Sequence, residues 1–421
     1  MTRKAVVIGG GAIGAMCALE ILRRGLSVTI LEPGEPGGEQ AASFGNAGWL
    51  SSHSVLPPSE PGLWKKVPGY LLDPLGPLAI RPRRFPAALP WLLRYLAAGS
   101  SEEKLVRTAE ALRSLLEDAP RLHARIAAEA GIRDLVRDDG GLLHIYPDRA
   151  TFGREARAWR IRSGVGIEWQ EMDDQSLHAM EPDLSPEYRF GVLVGEAGHC
   201  SDPGAYVAGL TGYAVARGAS LLKTRATGFS FADGRLRAVR TGTGDVPADI
   251  AVIAAGIFSQ PLARAAGDRI PLESERGYHV AIDAPEIVPS RPMMVHDRKI
   301  VITPVAGRLR AAGQVEIAGI AAAPNWQRAE ILKQHLLATF PGLARDGAVG
   351  RLHAWQGHRP STPDGLPCIG PSRATADVLH AFGHGHVGLA SSARTGRLIG
   401  QIVAGEPPEI PLAPFSPKRF R

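Results

Sequence analysis

Residues 5–14 read AVVIGGGAIG, an apolar run followed directly by a glycine-rich turn. The run at 5–8 is typical of a strand that is buried on both faces of a parallel sheet. Residues 15–24 then show a helical pattern, and the apolar segment Ser27–Leu31 predicts a second strand. The turn matches GxGxxG. This order of strand, glycine turn, helix and strand is the one that dinucleotide binding requires, so we predict a nucleotide site here.

Each glycine of the turn has a separate physical role in such a site. Gly9 permits the tight turn, Gly11 lets the backbone approach a pyrophosphate, and Gly14 lets the helix pack closely on the strand. The N–H groups at the helix N-terminus attract phosphate. Glu32, at the end of the second strand, can accept hydrogen bonds from the ribose hydroxyls of an adenosine. Its charge would repel a 2′-phosphate, which disfavours NADP.

Composition places the chain among ordinary globular enzymes of two or three domains. It has 421 residues, of which 44% are hydrophobic and 21% are charged. The net charge of +6 is scattered, without the basic block or aromatic-spaced stripe that nucleic-acid binding needs, so no nucleic-acid partner is expected. The three cysteines, Cys17, Cys200 and Cys368, are too far apart for a disulfide framework or a zinc motif, which favours a reducing compartment.

The N-terminus and the apolar runs predict a cytoplasmic protein. Residues 4–14 lead straight into a strand and a glycine turn, which leaves no room for a signal peptide. The longest nearly uncharged apolar runs, such as 250–258, are far too short to span a bilayer. At most, we expect peripheral contact with the inner face of a membrane.

The segments after the glycine turn favour a flavin over a nicotinamide cofactor. Residues 37–48 are rich in small side chains, which lets the backbone lie close to an extended ligand. A proline-dense stretch at 57–90 replaces the third strand of a plain NAD-binding domain, so the sheet must be completed from later sequence. The stretch 248–258 predicts one missing strand, ending at Ala255 and Gly256.

A second glycine-rich turn lies near the end of the chain. Residues 379–382 predict a strand, 383–388 read GHGHVG, and a helix follows to about Ala404 with Gly405 as its cap. A helix N-terminus here can stabilise the negative charge that a reduced flavin carries. His384 and His386 could suggest a metal, but no third ligand is apparent, so no metal site is expected. Local hydrogen bonding is the alternative for both histidines.

The sequence resembles the FAD-dependent D-amino acid dehydrogenases of the D-amino acid oxidase and glycine oxidase superfamily. The resemblance is carried by VVIGGGAIG (6–14), ASFGNAGWLS (42–51), PLAIRPRRFPAALPWLLRYL (77–96), WQGHRPSTPDGLPCIG (355–370) and GHGHVG (383–388), which bracket nearly the whole chain. It implies FAD as cofactor. It also implies an α/β fold in which a discontinuous Rossmann-like FAD-binding domain is joined to a mixed, largely antiparallel α+β substrate domain.

Combined with the patterns between the motifs, the resemblance gives approximate domain bounds. We expect residues 1–55, 200–270 and 352–421 in the FAD-binding domain, and 56–199 and 271–351 in the substrate domain. Within the substrate domain, the pattern predicts one long amphipathic helix over 102–130 and strands at 141–146, 278–282 and 299–303.

Oxidation of an amino acid needs a clamp for its carboxylate, and Arg359 is the candidate. The related oxidases use the arginine of this motif in that role, and a planar guanidinium can hold a carboxylate through two hydrogen bonds. The alternative is a structural ion pair with Asp364. Tyr278 lies where the family places a substrate-side residue, with packing as the alternative. His53 is a third candidate for the pocket, although a lone histidine usually has a local structural partner.

The candidate cofactor-binding residues come from the four glycine-rich or small-residue segments and from the acid after the second strand. They are Gly9, Gly11, Ala12, Ile13, Gly14, Glu32, Ser43, Asn46, Ala47, Gly48, Ala255, Gly256, Gly383, His384, Gly385, His386, Val387 and Gly388.

The resemblance implies oxidative deamination of D-amino acids to 2-oxo acids and ammonia, by hydride transfer from the α-carbon to flavin N5. Electrons would pass to a quinone or another acceptor, with dioxygen as an alternative. A second hypothesis is a secondary-amine or imino-acid oxidoreductase that acts on hydroxy-D-proline, sarcosine or glycine. A third hypothesis, of another class, is an FAD-binding electron-transfer subunit of a multi-chain dehydrogenase. An amino or imino acid, an electron acceptor and a second copy of the chain are therefore the expected partners.

The segment 79–96 mixes four arginines with Phe85, Trp91 and Tyr95. A basic, aromatic, amphipathic segment can rest on a membrane surface and bring the enzyme close to a quinone. The alternative is an ordinary surface helix that packs on its own domain.

Overall fold

The computed structural model describes residues 2–57, 59–65, 69, 76, 78–347 and 350–420. Within the proline-dense stretch at 57–90, residues 58, 66–68, 70–75 and 77 therefore lie outside the described residues. In chain order, the strands are β1 (Lys4–Ile8), β2 (Ser27–Leu31), β3 (Trp49–Leu50), β4 (Leu78–Ile80), β5 (Val136–Arg137), β6 (Leu142–Tyr146), β7 (Gln170–Met172), β8 (Phe190–Val194), β9 (Gly198–Cys200), β10 (Ser220–Leu222), β11 (Ala226–Ala232), β12 (Arg235–Thr241), β13 (Gly244–Pro247), β14 (Ile250–Ile253), β15 (Glu273–Asp283), β16 (Met293–Val295), β17 (Ile300–Val305), β18 (Arg308–Ile317), β19 (Leu352–Ser361), β20 (Cys368–Pro371) and β21 (Val378–Phe382).

The α-helices lie between groups of these strands in the sequence. They are α1 (Ala12–Arg23), α2 (Phe85–Ala98), α3 (Glu102–Leu116), α4 (Ala119–Glu129), α5 (Arg149–Gly153), α6 (Ala156–Gly164), α7 (Asp174–Met180), α8 (Pro203–Ala216), α9 (Ser259–Ala265), α10 (Gln327–Thr339) and α11 (Gly388–Ala404). In the described part of the chain, none of the helices is both long enough and apolar enough to cross a bilayer.

The first sheet is built from segments that lie far apart in the sequence. Its strand order is β10-β2-β1-β14-β21-β20. All neighbouring pairs are parallel except β20 and β21, which are antiparallel. Residues 5–8 of β1 are buried on both faces, as their uninterrupted apolar run requires. Because β1 lies in the middle of this sheet, its glycine turn opens at a topological switch point, where α/β sheets bind ligands.

Two helices cover one face of this sheet. Helix α1 packs against α11, and the two backbones approach closely at Gly396. A β-carbon at Gly396 would lie 2.7 Å from the carbonyl of Met16, so this crossing requires glycine. Helix α11 ends as predicted, because Gly405 adopts a left-handed conformation with φ of 74° after Ala404.

The second sheet is larger and mostly antiparallel. Nine strands form it in the order β19-β15-β18-β17-β16-β6-β8-β7, with β4 added alongside β18. The pairs β16–β6 and β18–β4 are parallel. Smaller sheets, β11-β12-β13 and β3-β9-β5, lie outside both. The architecture confirms the predicted α/β class, with a discontinuous parallel sheet and a mixed, largely antiparallel sheet.

The structure differs from the sequence-based expectation at three elements. The predicted helix at 102–130 is two helices, α3 and α4, because Pro120 starts a new helix after the break at 117–118. The predicted strand at 248–258 is only Ile250–Ile253, followed by a 3₁₀ turn at Gly256–Phe258. Strand β19 pairs with β15 and so lies in the second sheet, although residues from 352 onward were expected in the first domain. We keep the predicted domain division as a proposal, with its last crossing moved beyond Ser361.

The basic, aromatic segment at 79–96 forms β4 and α2. Trp91 and Tyr95 are buried and stack with their ring centroids 5.0 Å apart. The indole N–H of Trp91 donates to the carbonyl of Ser361. The aromatic side of α2 therefore packs on the protein itself, as in the surface-helix alternative, while Leu89 and Leu93 remain exposed.

Candidate active site

A cavity of about 1050 Å³ is lined by residues from both large sheets. Its volume lies near the upper end of the range of roughly 300–1,000 Å³ that small-molecule sites occupy. Most of the residues predicted from the sequence lie on its wall. They are Gly9, Gly11, Ala12, Ile13, Glu32, Ser43, Asn46, Ala47, Ala255, Gly256, Tyr278, Arg359, Gly383, His384, Gly385, His386, Val387 and Gly388. Gly14, Gly48 and His53 do not line it.

The glycine turn after β1 fits against the next strand of the sheet. Gly9 has φ of 110°, and a β-carbon there would lie 2.5 Å from the carbonyl oxygen of Ala254. Its backbone N–H donates to the carbonyl of Leu31 at 2.8 Å. At Gly11 the nearest neighbour of such a β-carbon is Ser43 Oγ, at 3.4 Å, so this glycine faces the cavity. The turn thus offers bare backbone to a ligand at the N-terminus of α1.

Gly14 and Gly48 act behind the cavity wall. A β-carbon at Gly14 would lie 1.8 Å from the carbonyl oxygen of Gly9, so this glycine permits the contact between helix and turn. Gly48 has φ of 77°, and a β-carbon there would lie 2.2 Å from the carbonyl oxygen of Cys200. Both residues shape the wall through backbone packing.

Glu32 lies at the carboxyl end of β2 and is buried at the cavity wall. Its Oε2 accepts a hydrogen bond from the N–H of Gly10 at 2.8 Å, and its Oε1 accepts one from Gly34 at 3.0 Å. These two bonds fix the carboxylate on the edge of the glycine turn. It retains acceptor capacity for the hydroxyls of a ligand, since a carboxylate has about four lone-pair sites.

The small-residue segment is tied to both neighbours. Ser43 Oγ accepts a hydrogen bond from the N–H of Ala12, the first residue of α1, at 3.2 Å. From the other side, the buried guanidinium of Arg310 donates to the carbonyl of Asn46 at 2.6 Å. Burial lowers the pKa of Arg310 to about 10. The segment is therefore held as a rigid wall between the two sheets.

The C-terminal glycine turn approaches the cavity with two left-handed glycines, Gly383 at φ of 86° and Gly385 at φ of 51°. Between them, His384 is buried, and its Nε2 lies 3.1 Å from Thr395 Oγ1. Burial lowers the pKa of His384 to about 3, so its imidazole is neutral. His386 contacts Glu275 instead, with Nε2 3.3 Å from Oε2. The two histidines thus have separate local partners.

Arg359 lies on β19 opposite Glu275 of β15 and is partly exposed to the cavity. One of its terminal nitrogens donates to the carbonyl of Gln314 at 3.1 Å. Burial lowers the pKa of Arg359, and the charge of Glu275 opposes that effect. The alternative partner, Asp364, forms an ion pair with Arg419 at 2.7 Å. Arg359 is thus placed on the wall and not in the ion pair with Asp364.

Glu275 lies next to this arginine and is buried. Burial raises the pKa of its carboxyl, but the contacts with His386 and Ser361 and the charge of Arg359 outweigh burial, and the net pKa is lowered. The ionised carboxylate accepts a hydrogen bond from the hydroxyl of Ser361. Its charge helps to keep the neighbouring guanidinium protonated in a desolvated site.

Tyr278 lines the cavity, but its hydroxyl is committed elsewhere. It donates to Glu316 Oε2 at 2.7 Å and accepts from the N–H of Asn325 at 3.0 Å. Burial raises its pKa. The ring meets Trp326 edge-on. These contacts match the packing alternative, and a substrate-side role for the phenol stays a prediction.

His53 is buried directly behind the wall. Its Nδ1 lies 3.2 Å from the hydroxyl of Ser51, which lines the cavity. Its Nε2 lies 2.8 Å from Nε2 of His144. One hydroxyl thus separates this histidine from the cavity, and its predicted catalytic role remains a prediction.

Several wall residues were missed by the sequence reasoning. Trp355 and His358 flank Arg359 within the quoted motif, so their proximity to Arg359 could have indicated them. Gln314 and Lys299 have positive φ angles of 59° and 51°. Residues other than glycine rarely adopt this conformation, and no sequence pattern predicts it here. Both residues reach the wall only because β17 and β18 bring them there.

The residues present fit an FAD molecule. The wall combines a bare glycine turn at a helix N-terminus, a carboxylate at the end of β2 and a segment of small side chains. Gly11 presents bare backbone to the cavity, and a β-carbon there would occupy space that a pyrophosphate needs for close approach to the backbone. At the other end, residues 383–388 lead into the N-terminus of α11.

Comparisons with known proteins agree with this geometry. A family model described as DAO, FAD dependent oxidoreductase, matches residues 4–402. The "D-amino-acid oxidase" of Bradyrhizobium diazoefficiens is 56% identical over 418 residues, covering 99% of each chain. The "D-amino acid dehydrogenase" of Rhizobium johnstonii is 30% identical over 413 residues, covering 97% of each.

Solved structures share the fold at lower identity. Glycine oxidase from Geobacillus kaustophilus superposes with a TM-score of 0.75 at 22% identity, covering 100% of both chains. L-proline dehydrogenase from P. horikoshii gives a TM-score of 0.75 at 19% identity, covering 100% of this chain and 98% of the other.

Proposed function

Because the chain belongs to the DAO family of FAD-dependent oxidoreductases, we propose that it oxidises D-amino acids to 2-oxo acids and ammonia. The single observation that carries the substrate class is Arg359, a guanidinium on the cavity wall that is anchored by one backbone carbonyl. An arginine in a desolvated cavity binds a carboxylate far better than it binds a neutral group. The relative that is 56% identical over nearly the whole chain supports D-amino acids as the substrates.

We assign the glycine turn, Glu32, residues 43–47, Ala255 and Gly256, and residues 383–388 to the cofactor. The turn and the N-terminus of α1 would hold the pyrophosphate, and Glu32 the adenosine ribose. FAD, when bound, supplies a hydride acceptor for oxidation of the carbon next to the amine. The N-terminus of α11 favours negative charge at its end of the cavity.

The chain itself supplies position and exclusion of water. Arg359 holds the substrate carboxylate, which fixes the α-carbon relative to the wall. Gln314 holds one nitrogen of the guanidinium, so the side chain is already in place before substrate binds. Gly277 provides the space that this guanidinium occupies. The mostly apolar wall strengthens these electrostatic contacts because it keeps water out.

For the electron acceptor we propose a quinone, with dioxygen as the alternative that the relative named an oxidase supports. The exposed leucines of α2, Leu89 and Leu93, together with Arg83, form the surface that would contact the inner face of a membrane. Oxygen consumption and reduction of a soluble quinone, measured with the same substrate, separate the two acceptors. Sedimentation with anionic vesicles, comparing Leu93→Asp with the unaltered protein, tests the membrane contact.

Product analysis tests the proposed activity. The purified protein, loaded with FAD, is incubated in air with a soluble quinone and single D- and L-amino acids, so that either proposed acceptor can reoxidise the flavin, and the 2-oxo acid and ammonia are quantified. The proposal expects equal amounts of both products from D-amino acids and none from their L-enantiomers. Turnover of sarcosine, glycine or hydroxy-D-proline with no turnover of primary D-amino acids would instead assign the imino-acid activity. An FAD-loaded chain that turns over none of these amines would indicate an electron-transfer role.

A further inference from the structure

A row of polar groups leads from the cavity wall into the second sheet. The hydroxyl of Ser54 donates to Ser51 Oγ at 2.8 Å, and both serines line the cavity. Ser51 Oγ lies 3.2 Å from His53 Nδ1, and His53 Nε2 lies 2.8 Å from His144 Nε2. The row of hydrogen-bonding groups continues beyond His144, away from the cavity.

The far end of the row reaches a partly exposed carboxylate. His144 Nδ1 lies 2.8 Å from His296 Nε2. His296 Nδ1 lies 2.8 Å from Glu155 Oε2, and the side chain of Glu155 is 26% exposed. Tyr146 bridges the same pair, with its hydroxyl 3.0 Å from His296 Nε2 and 3.3 Å from Glu155 Oε2. We call this set, Ser54, Ser51, His53, His144, His296 and Glu155, the histidine relay.

We propose that the histidine relay carries the proton released by the substrate amine from the cavity to Glu155 and on to solvent. This inference rests on the proposed function, because the proton comes from that reaction. An amino acid arrives with a protonated amine. Its N–H bond breaks and the proton leaves through the relay, while the C–H bond breaks and its hydrogen leaves as hydride, with both electrons, to FAD. A C=N bond forms, which leaves a protonated imine and balances charge.

The hydrogen-bond directions along the relay are mutually consistent. Because the ionised carboxylate of Glu155 lies 2.8 Å from Nδ1 of His296, we assign the hydrogen of this imidazole to Nδ1, and its Nε2 then accepts from Nδ1 of His144. The Nε2 of His144 then accepts from Nε2 of His53, whose Nδ1 accepts from Ser51. Every donor therefore points from the cavity toward Glu155, which is the order that outward proton transfer requires.

The surroundings keep the relay histidines neutral and the terminal carboxylate ionised. Burial lowers the pKa of His53, His144 and His296. Burial raises the pKa of Glu155, but its contacts with His296 and Lys299 outweigh burial and lower it to about 2. A neutral imidazole with one donor and one acceptor can take a proton on one nitrogen and release another.

Charged groups on neighbouring elements also face the row. Helix α6 contributes Arg162, which donates to the carbonyl of His53 at 3.3 Å. Helix α3 contributes Arg113, which is paired with Glu196 at 2.6 Å. Lys299 pairs with Glu155 at 3.0 Å. The two arginines and Lys299 all disfavour a resident charge on the relay histidines, so a proton passes through without being stored.

The test interrupts the row at its middle. His144→Phe removes both ring nitrogens but keeps a ring against Trp159, and His144→Gln keeps hydrogen bonding without proton exchange through the side chain. His380→Gln is the matched control, because His380 is also buried and pairs with Asp268 outside the relay. Far-UV circular dichroism, melting temperature and FAD content establish that each variant folds.

Anaerobic stopped-flow mixing with a D-amino acid then follows two signals in weakly buffered solution, flavin absorbance and a pH-indicator dye. The proposal expects both rates to fall by about 10- to 100-fold in the two His144 variants, with unchanged substrate affinity. His380→Gln should match the unaltered protein. If His144 variants reduce flavin and release the proton at normal rates, the relay is wrong while the proposed function stands.

A second readout does not depend on turnover. In FAD-loaded protein labelled with ¹⁵N-histidine, NMR should show His53 as the Nε2–H tautomer and both His144 and His296 as Nδ1–H tautomers at neutral pH. Any other set of tautomers contradicts the outward direction. If the unaltered protein is not reduced by any D-amino acid, the proposed function fails and the relay's role in it fails with it.

Discussion

The guanidinium of Arg359 lies over the α-carbon of Gly277, where a β-carbon would approach it to between 2.3 and 2.5 Å. The two residues are on paired strands, β19 and β15, so the sheet register fixes this contact. Gln314 completes the anchor through its carbonyl. The orientation of the proposed carboxylate clamp thus depends on the absence of a side chain at 277.

Gly277→Ala should displace the clamp without removing it. We expect kcat/KM for a D-amino acid to fall by about 10- to 100-fold, since a shift of about 1 Å at a positioning group has that effect. The control is Gly228→Ala, a strand glycine with no atom within 4 Å of its would-be β-carbon. Steady-state kinetics at saturating acceptor measure the change. Equal kcat/KM in both variants would exclude a role for this contact.

Arg359→Leu should weaken substrate binding more strongly than Gly277→Ala does. Loss of two charge-assisted hydrogen bonds, at about 1.5–3 kcal/mol each, predicts a fall in kcat/KM on the order of 10²–10⁴-fold. FAD content should not change, because the arginine is assigned to the substrate. Arg351→Leu, an exposed arginine just before β19, is the control. A variant with normal KM for the amino acid would refute the clamp.

Prediction from the sequence was most accurate at positions where only one type of residue meets the physical requirement. Gly9 and Gly14 show backbone approaches below 3 Å to other elements, which only glycine allows, so their spacing was informative. The motif around Arg359 was also informative, because it predicted a residue that lies on the cavity wall. Pairing between strands that lie far apart in the sequence could not be predicted in this way. The position of β19 in the second sheet and the position of Gln314 on the wall depend on partners up to 88 residues away, and no local pattern records them.

The helix break at 117–118 has a different cause. Residues 102–130 keep an apolar face throughout, so the periodicity alone predicts one helix. Pro120 lacks an N–H and suits only the first turn of a helix, so the chain restarts there. Pro120 is therefore the local signal for the break, and its effect on the backbone overrides the apolar periodicity.

Glu32→Gln should weaken FAD binding. The carboxylate accepts hydrogen bonds from the N–H groups of Gly10 and Gly34, and we assign it to the adenosine ribose. The glutamine amide has only one acceptor oxygen, so the variant loses at least one of these hydrogen bonds. We expect the Kd for FAD to rise by about tenfold, near 1.4 kcal/mol. Quenching of FAD fluorescence on titration with apoprotein measures it. Glu35→Gln, an exposed residue paired with Lys223, should leave Kd unchanged; an equal rise there would contradict the assignment.

Acidification should destabilise the fold through buried histidines. Burial lowers the pKa of His123 from 6.5 to about 4, against the smaller effect of the backbone carbonyls that it contacts. Because the folded pKa is depressed, stability is full above the unfolded value of 6.5 and is lost as pH falls from 6.5 toward 4. Urea unfolding at pH 7 and pH 5 measures this.

For this residue alone, the loss between those two pH values is about 2 kcal/mol. His123→Gln, which retains polar contact with Tyr206, should therefore lose about 2 kcal/mol less than the unaltered protein on the same acidification. An identical loss in both proteins would show that His123 does not titrate as its burial requires.

Anaerobic absorbance of the FAD-loaded protein tests whether D-amino acids reduce the bound flavin. D-amino acids, their L-enantiomers, glycine, sarcosine and prolines are added one at a time under nitrogen, and the flavin absorbance band is followed as a marker of FAD reduction. We expect bleaching by D-amino acids, none by the L-enantiomers, and little by any substrate in Arg359→Leu. A flavin band that no D-amino acid bleaches would contradict it.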